Sequence, residues 1–117
     1  MDILSFASSK PFTMGIELEL QLVNRRNYNL ATDALDLLAW IKPRDLQKQI
    51  KLEITQGMIE LNSAIHTRVD ELVEELQQLR SALIDVAQHV NIDVAGGGAH
   101  PFQNWSEQRI TPSERFN

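Results

Sequence analysis

The chain has 117 residues, 43% of them apolar, and a net charge of −5. That apolar share supports a packed core, while the negative balance disfavours nucleic acid and anionic membranes, which would repel it. There is no cysteine, which excludes disulfides, thiolate metal sites and a cysteine nucleophile.

The length fits one small domain, or a piece of a larger one. The N-terminus "MDILSFASSKPF" lacks the basic start and long apolar stretch of a secretory signal. No apolar run approaches the ~20 residues that span a bilayer. A soluble, cytoplasmic protein is the expectation.

The stretch Phe12 to Asn24, "FTMGIELELQLVN", alternates strictly, with Phe12, Met14, Ile16, Leu18, Leu20 and Leu22 on one side. A period of two predicts a strand with one apolar and one polar face. Glu17 and Glu19 then point the same way, about 7 Å apart. "RRNYNLAT" follows as an exposed polar connection. "DALDLLAWIKP" has Leu35, Leu38 and Ile41 near helical spacing, with a stop before Pro43 and Trp40 in the core. "RDLQKQI" is read as a further helical turn.

Ile50 to Ser63 predicts a β-hairpin, with Gln56-Gly57 as a two-residue turn in which glycine supplies a positive φ. In that register Ile54 faces Ile59 and Leu52 faces Leu61, while Glu53 falls opposite Glu60 and Lys51 opposite Asn62. Apolar pairs with apolar throughout, so the register is self-consistent.

A long helix is predicted from Thr67, its N-cap, towards Asn91, with Val69, Leu72, Val73, Leu76, Leu79, Leu83, Val86, Ala87 and Val90 forming one stripe. Its length is about 35 Å, enough to cross a sheet. Asp70, Glu71, Glu74 and Glu75 favour the positive end of its dipole and need no functional explanation. Ile92 to Ala95 is a short strand, followed by Gly96, Gly97 and Gly98, then Ala99-His100-Pro101 and a polar segment carrying Trp105. The fold class is α+β: an antiparallel sheet of four strands covered by one long helix, with a shorter helix beside it.

Four carboxylates stand out. Glu17 and Glu19 share a strand face, and Glu53 and Glu60 form a cross-strand pair in the predicted register. A solvated polar face accounts for the first pair. Like charges directly opposite on a sheet are destabilising, however, and a cation between them removes that penalty. Clustered carboxylates are hard oxygen ligands for Mg²⁺, Mn²⁺ or Ca²⁺, and two neighbouring ions grip nucleotide phosphates in phosphoryl transfer. The triple glycine is either a phosphate-cradling loop or a flexible turn; it lacks the Lys-Ser/Thr of a P-loop and the GxGxxG spacing. His100 is a candidate base, substrate contact or ligand, or else a structural hydrogen-bonding residue. His66 and His89 look incidental.

"PFTMGIELELQLVN", "LEITQGMIELNS" and "GGGAHPFQNW", followed by "QRITPSERF", occur in that order. Together they resemble the N-terminal part of the type 2 glutamate–cysteine ligase family, in its bacterial carboxylate–amine ligase branch, from Pro11 to Phe116. The resemblance implies a glutamine-synthetase-like catalytic domain using ATP and Mg²⁺ (or Mn²⁺). Such enzymes phosphorylate a carboxylate, and an amine displaces the phosphate to form an amide. The partners implied are a small amino-acid carboxylate and an amine substrate. By motif the metal ligands fall on Glu17, Glu19, Glu53 and Glu60. The chain departs from the family pattern at Glu53, where Asp is common, at Gln56, where Glu is common, and at Ala99, where Thr is usual. The same resemblance implies an N-terminal fragment of a larger ligase, inactive alone. A non-catalytic binding module, forming homo-oligomers through an unpaired sheet edge, is the alternative; a purely structural acidic domain is a third.

Overall fold

Alternating apolar residues build a four-stranded antiparallel sheet in the computed structural model, which describes residues 7–114 and 116. Its strands are β1 (Glu17–Asn24), β2 (Ile50–Leu52), β3 (Met58–Asn62) and β4 (Ile92–Ala95), in spatial order β2-β3-β1-β4. Helices α1 (Ala34–Ile41) and α2 (Val69–His89) complete the regular structure. The α+β architecture expected from the sequence is therefore present.

One core joins the helices to one face of the sheet. Leu22, Ile50, Ile59 and Leu61 meet Leu37 and Ile41 from α1, and Leu79, Leu83, Val86 and Ala87 from α2. Fully burying each larger side chain contributes about 1.5–3 kcal/mol. The acidic first turn of α2, Asp70 and Glu71, and His89 in its last turn both complement the helix dipole. At ~1.5 Å per residue the helix is about 32 Å long. None of the helices formed by the described residues is long and apolar enough to cross a membrane.

Several sequence expectations are corrected. Regular pairing of the first strand begins at Glu17, not Phe12. Phe12 has a positive φ of 59° and is 94% exposed. Among the described residues before Glu17, Ile16 bonds to Ser63, its N–H donating to the Ser63 hydroxyl and its carbonyl accepting the Ser63 N–H, both at 2.9 Å, and Met14 and His66 exchange backbone hydrogen bonds of 2.8 Å in an isolated bridge. Alternation alone thus overran the strand, because it cannot see where the neighbouring strands end. The N-cap of α2 is Arg68, without a side-chain cap bond, rather than Thr67. Val69 and Val73 of the apolar stripe stay exposed.

Trp40 is not a core residue. It is 51% exposed and stacks on His89, with ring centroids 4.9 Å apart and planes at 8°. Leu37 faces inward instead, and Leu35 lies on the open side of α1. Past Ile41 a 3₁₀ turn, Lys42–Arg44, carries the chain across Pro43 and ends at Asp45 in the left-handed region; within "RDLQKQI" the Leu46 carbonyl then accepts the N–H groups of Gln49 at 3.0 Å and Ile50 at 2.8 Å, a single helical turn. The "RRNYNLAT" connection is not wholly exposed, since Ala31 is buried and its N–H donates to the Leu22 carbonyl at 2.7 Å.

The β2–β3 hairpin has a different register from the predicted one. Ile50 pairs with Leu61, Lys51 with Glu60 and Leu52 with Ile59. Each β2 residue is therefore displaced by two positions, and Glu53 lies in the connecting loop rather than opposite Glu60. A two-residue slip keeps every side chain on its face, so apolar still meets apolar; only a one-residue slip would have reversed them. Gly57 does not adopt a positive φ either. It is needed for close approach: a Cβ there would lie 2.5 Å from Gln108 Oε1 and 3.3 Å from Leu30 Cβ.

Candidate functional site

The sheet face away from the helices carries the odd-numbered residues of β1 and the even-numbered residues of β3. The register places Glu19 opposite Glu60, Glu17 opposite Asn62 and Gln21 opposite Met58. Because β2 sets Lys51 beside Glu60, a row of Lys51, Glu60 and Glu19 runs across three strands. The pair of opposed acids exists, but its members are Glu19 and Glu60.

Glu53 joins them from the loop. Carboxylate oxygens of Glu19, Glu53 and Glu60 all lie within 4.8 Å of one another. Glu17, one step further along the same face, is outside that group. The Asn62 side-chain amide donates to Glu60 Oε1. Glu53 Oε2 accepts from the Ile54 N–H at 3.0 Å. Burial pushes the Glu53 carboxyl above the usual carboxylate range, against the pull of that N–H; its hydrogen bond with Glu60 and the charges of Glu19 and Glu60 push the same way as burial. Three carboxylates this close favour a proton or a cation among them.

The loop holding Glu53 is clamped by the C-terminal segment. Thr111, with no exposed surface, donates its hydroxyl to the Glu53 carbonyl at 2.6 Å, and its N–H donates to the Ile54 carbonyl at 2.8 Å. The Gln56 N–H donates to the Arg109 carbonyl at 2.8 Å, and Gln56 Nε2 to the Ile110 carbonyl at 3.0 Å. Threonine in a polar tail gives no sequence signal of this role. Only the fold brings Thr111 against a loop 58 residues earlier.

Further along the same face, past Gln21 and Met58, lies a cavity of about 420 Å³ whose lining includes His100, Trp105 and Gln108. His100 Nδ1 accepts the Gln103 N–H at 3.1 Å, so its Nε2 carries the proton and donates to the Tyr28 carbonyl at 2.6 Å. Both nitrogens are thus engaged in holding two loops together. Gly96, Gly97 and Gly98 are exposed; Gly97 has φ 128° and its carbonyl accepts Gln21 Nε2 at 3.1 Å. Neither His100 nor the glycines belong to the three-carboxylate group. Gln21 and Gln108, which the sequence did not single out, line the cavity as well.

His66 is not incidental. Its Nε2 lies 2.6 Å from Glu75 Oε2, and Glu75 also accepts from the Ala64 N–H at 2.9 Å and Gln49 Nε2 at 2.6 Å. This cluster ties the end of β3 to α2.

Residues 13–117 match the family described as "Glutamate-cysteine ligase family 2". Among curated proteins, one named "Putative glutamate--cysteine ligase 2" from Laribacter hongkongensis is 54% identical over 114 residues. Proteins of the same name from Janthinobacterium sp. (strain Marseille) and Chromobacterium violaceum are 50% and 49% identical over equal lengths. Each alignment covers 97% of this chain but only 30–31% of the relative. The chain therefore spans about a third of the length of these relatives.

Proposed function

The chain belongs to the glutamate-cysteine ligase family 2, and from that premise we propose that it carries the metal-holding strands of an ATP-dependent carboxylate–amine ligase with a glutamine-synthetase-like sheet. The single observation carrying this reading is the convergence of Glu19, Glu53 and Glu60 within 4.8 Å. Their donors are all hard oxygens, the chemistry that suits Mg²⁺ or Mn²⁺. Glu17, on the same face, is the fourth ligand in this reading.

A divalent ion there would neutralise charge on the γ-phosphate of ATP while it is transferred. The chain's own residues do the rest of what this portion can do. The Asn62 amide holds Glu60 and the Ile54 N–H holds Glu53, while Lys51 lies beside Glu60 in the ladder. Thr111 fixes the Glu53 loop. Gly98, at the end of the triple glycine, and the His100 turn border the cavity further along the same face, where a small amino-acid substrate or the nucleotide would lie. In the reaction a carboxylate oxygen bonds to the γ-phosphorus as ADP leaves, and an amine nitrogen then bonds to the acyl carbon as phosphate leaves. The isolated 117-residue chain is not expected to complete that sequence.

Calorimetric titration with Mn²⁺ tests the metal reading. Glu19→Gln and Glu60→Gln should each weaken binding by tenfold or more, whereas Glu74→Gln on α2 should leave it unchanged. Equal effects at all three positions would mean a diffuse acidic surface and overturn the assignment. Enhanced ATP binding in the presence of the metal is the second expected result.

A further inference from the structure

The pairing of β1 is lopsided. On one side β3 accompanies it from Glu17 to Gln21; on the other, β4 pairs only with Gln21 to Asn24. The Leu22 N–H donates to the Gly57 carbonyl, and the Ile16 carbonyl accepts the Ser63 N–H. Even-numbered residues of β1 thus turn their backbone groups towards β3. Those of Glu17 and Glu19 must point the opposite way, to the side from which β4 has already diverged at Gly96. Among the described residues nothing pairs with them.

Beneath this open edge is a largely apolar cleft of about 330 Å³ between the sheet and α2, lined by Leu18, Leu20, Leu83, Ile84 and Val94, with Arg80 and Gly96 completing its wall. Leu18 is 39% exposed although it lies on the core-facing side of the strand. An unpaired backbone edge beside an apolar cleft is the arrangement that accepts an added strand: main-chain hydrogen bonds supply affinity, and alternate side chains fill the cleft.

Charge selects the occupant. A second copy pairing antiparallel about a two-fold axis at Leu18 would set Glu17 directly opposite the partner's Glu19, twice over, and like charges opposed across a ladder are destabilising. The net charge of −5 adds to that repulsion. We infer that the Glu17–Leu20 edge is a docking site for an extended segment of another polypeptide. Its alternate residues are apolar, entering the cleft beside Leu18, and basic, facing Glu17 and Glu19. This inference stands on strand pairing and does not depend on metal binding.

The test uses the full chain in EDTA and the acetylated, amidated peptide Val-Lys-Val-Lys-Val-Lys-Val. Amide exchange followed by NMR should show Glu17 and Glu19 unprotected in the free chain, and slowed at least tenfold at saturating peptide. A Val-Glu peptide of the same length should bind at least tenfold more weakly. So should the Val-Lys peptide N-methylated on alternate residues, which keeps the charge but cannot complete the ladder. Leu18→Asp should weaken binding similarly, and retention of the far-UV spectrum would separate that loss from unfolding. Equal binding of the N-methylated peptide would show mere attraction to an acidic surface and overturn the inference. Protection of Glu17 and Glu19 in the free chain, with or without dimerisation by sedimentation, would show the edge already occupied and overturn it too. Mn²⁺ titration of the peptide-free chain reads the metal proposal separately.

Discussion

Glu19 and Glu60 stand directly opposite each other in the β1–β3 ladder. Opposed like charges in such a pair cost a few tenths to about 1 kcal/mol relative to neutral residues. Glu60→Gln should therefore leave the chain as stable in EDTA, or more stable by up to about 1 kcal/mol. The same variant should lose most of the rise in Tm that saturating Mg²⁺ or Mn²⁺ gives the parent, which for one site grows as RT ln(1 + [L]/Kd). Thermal melts with and without metal read both effects. A variant less stable in EDTA but equally responsive to metal would show that Glu60 serves packing instead.

Thr111 supplies the second expectation. Removing its hydroxyl in Thr111→Val leaves the Glu53 carbonyl without that 2.6 Å bond. A buried acceptor so orphaned costs about 1–3 kcal/mol. Because the same bond anchors the loop carrying Glu53, Mn²⁺ affinity should fall along with stability. Thr111→Ser, which keeps the donor, should recover much of the metal affinity. Denaturant melts and calorimetry together distinguish this positioning role from simple destabilisation, which Ser would not repair selectively.

The polar–apolar alternation of "GIELELQLV" was enough to place Glu17 and Glu19 on one face, and the glycine-bounded apolar runs were enough to expect an antiparallel sheet. Which acids oppose each other was not legible. The hairpin sequence is compatible with two registers two residues apart, since both match apolar to apolar. What separates them is the loop's tertiary anchoring: Gln56 is held by Arg109 and Ile110, and Gly57 by Leu22. Those contacts bridge distant parts of the chain, so no local pattern reports them. Trp40 misled for a related reason. Its size suggested burial, but Leu37 occupies the inward position on α1, and Trp40 found His89 at the surface.

Gly57 gives a third prediction. An alanine methyl there would collide with the Gln108 side-chain amide and press on Leu30 Cβ and the Ala31 carbonyl. Gln108 is a side chain and can shift, while its amide atoms are buried without hydrogen-bond partners, so it has little to lose by moving. Leu30 and the Ala31 backbone are less free. Overpacking of this kind costs about 1–3 kcal/mol. Gly57→Ala should lower stability within that range, and the double variant Gly57→Ala with Gln108→Ala should recover only part of the loss. Full recovery would place all the strain on Gln108.

The bond between His66 and Glu75 gives a pH-dependent prediction. Burial alone would raise the Glu75 carboxyl, but the His66 hydrogen bond, the Ala64 N–H, the His66 charge and Gln49 together bring it below the usual glutamate range. A carboxylate whose folded value is depressed contributes stability that is fully present above its unfolded value, and that stability is lost as pH falls through the folded value. The contribution should therefore be intact at pH 7, begin to fade as pH drops into the ordinary glutamate range, and be gone in stronger acid. Hydrogen bonds to charged groups contribute about 1.5–3 kcal/mol each, net of exchange with water. Glu75→Gln, which keeps the shape and removes the charge, should cost about 1–3 kcal/mol at pH 7. The gap between parent and variant should close on acidification. Urea melts of both proteins between pH 7 and pH 3 measure this directly; a gap independent of pH would mean that Glu75 stabilises by packing rather than by its charge.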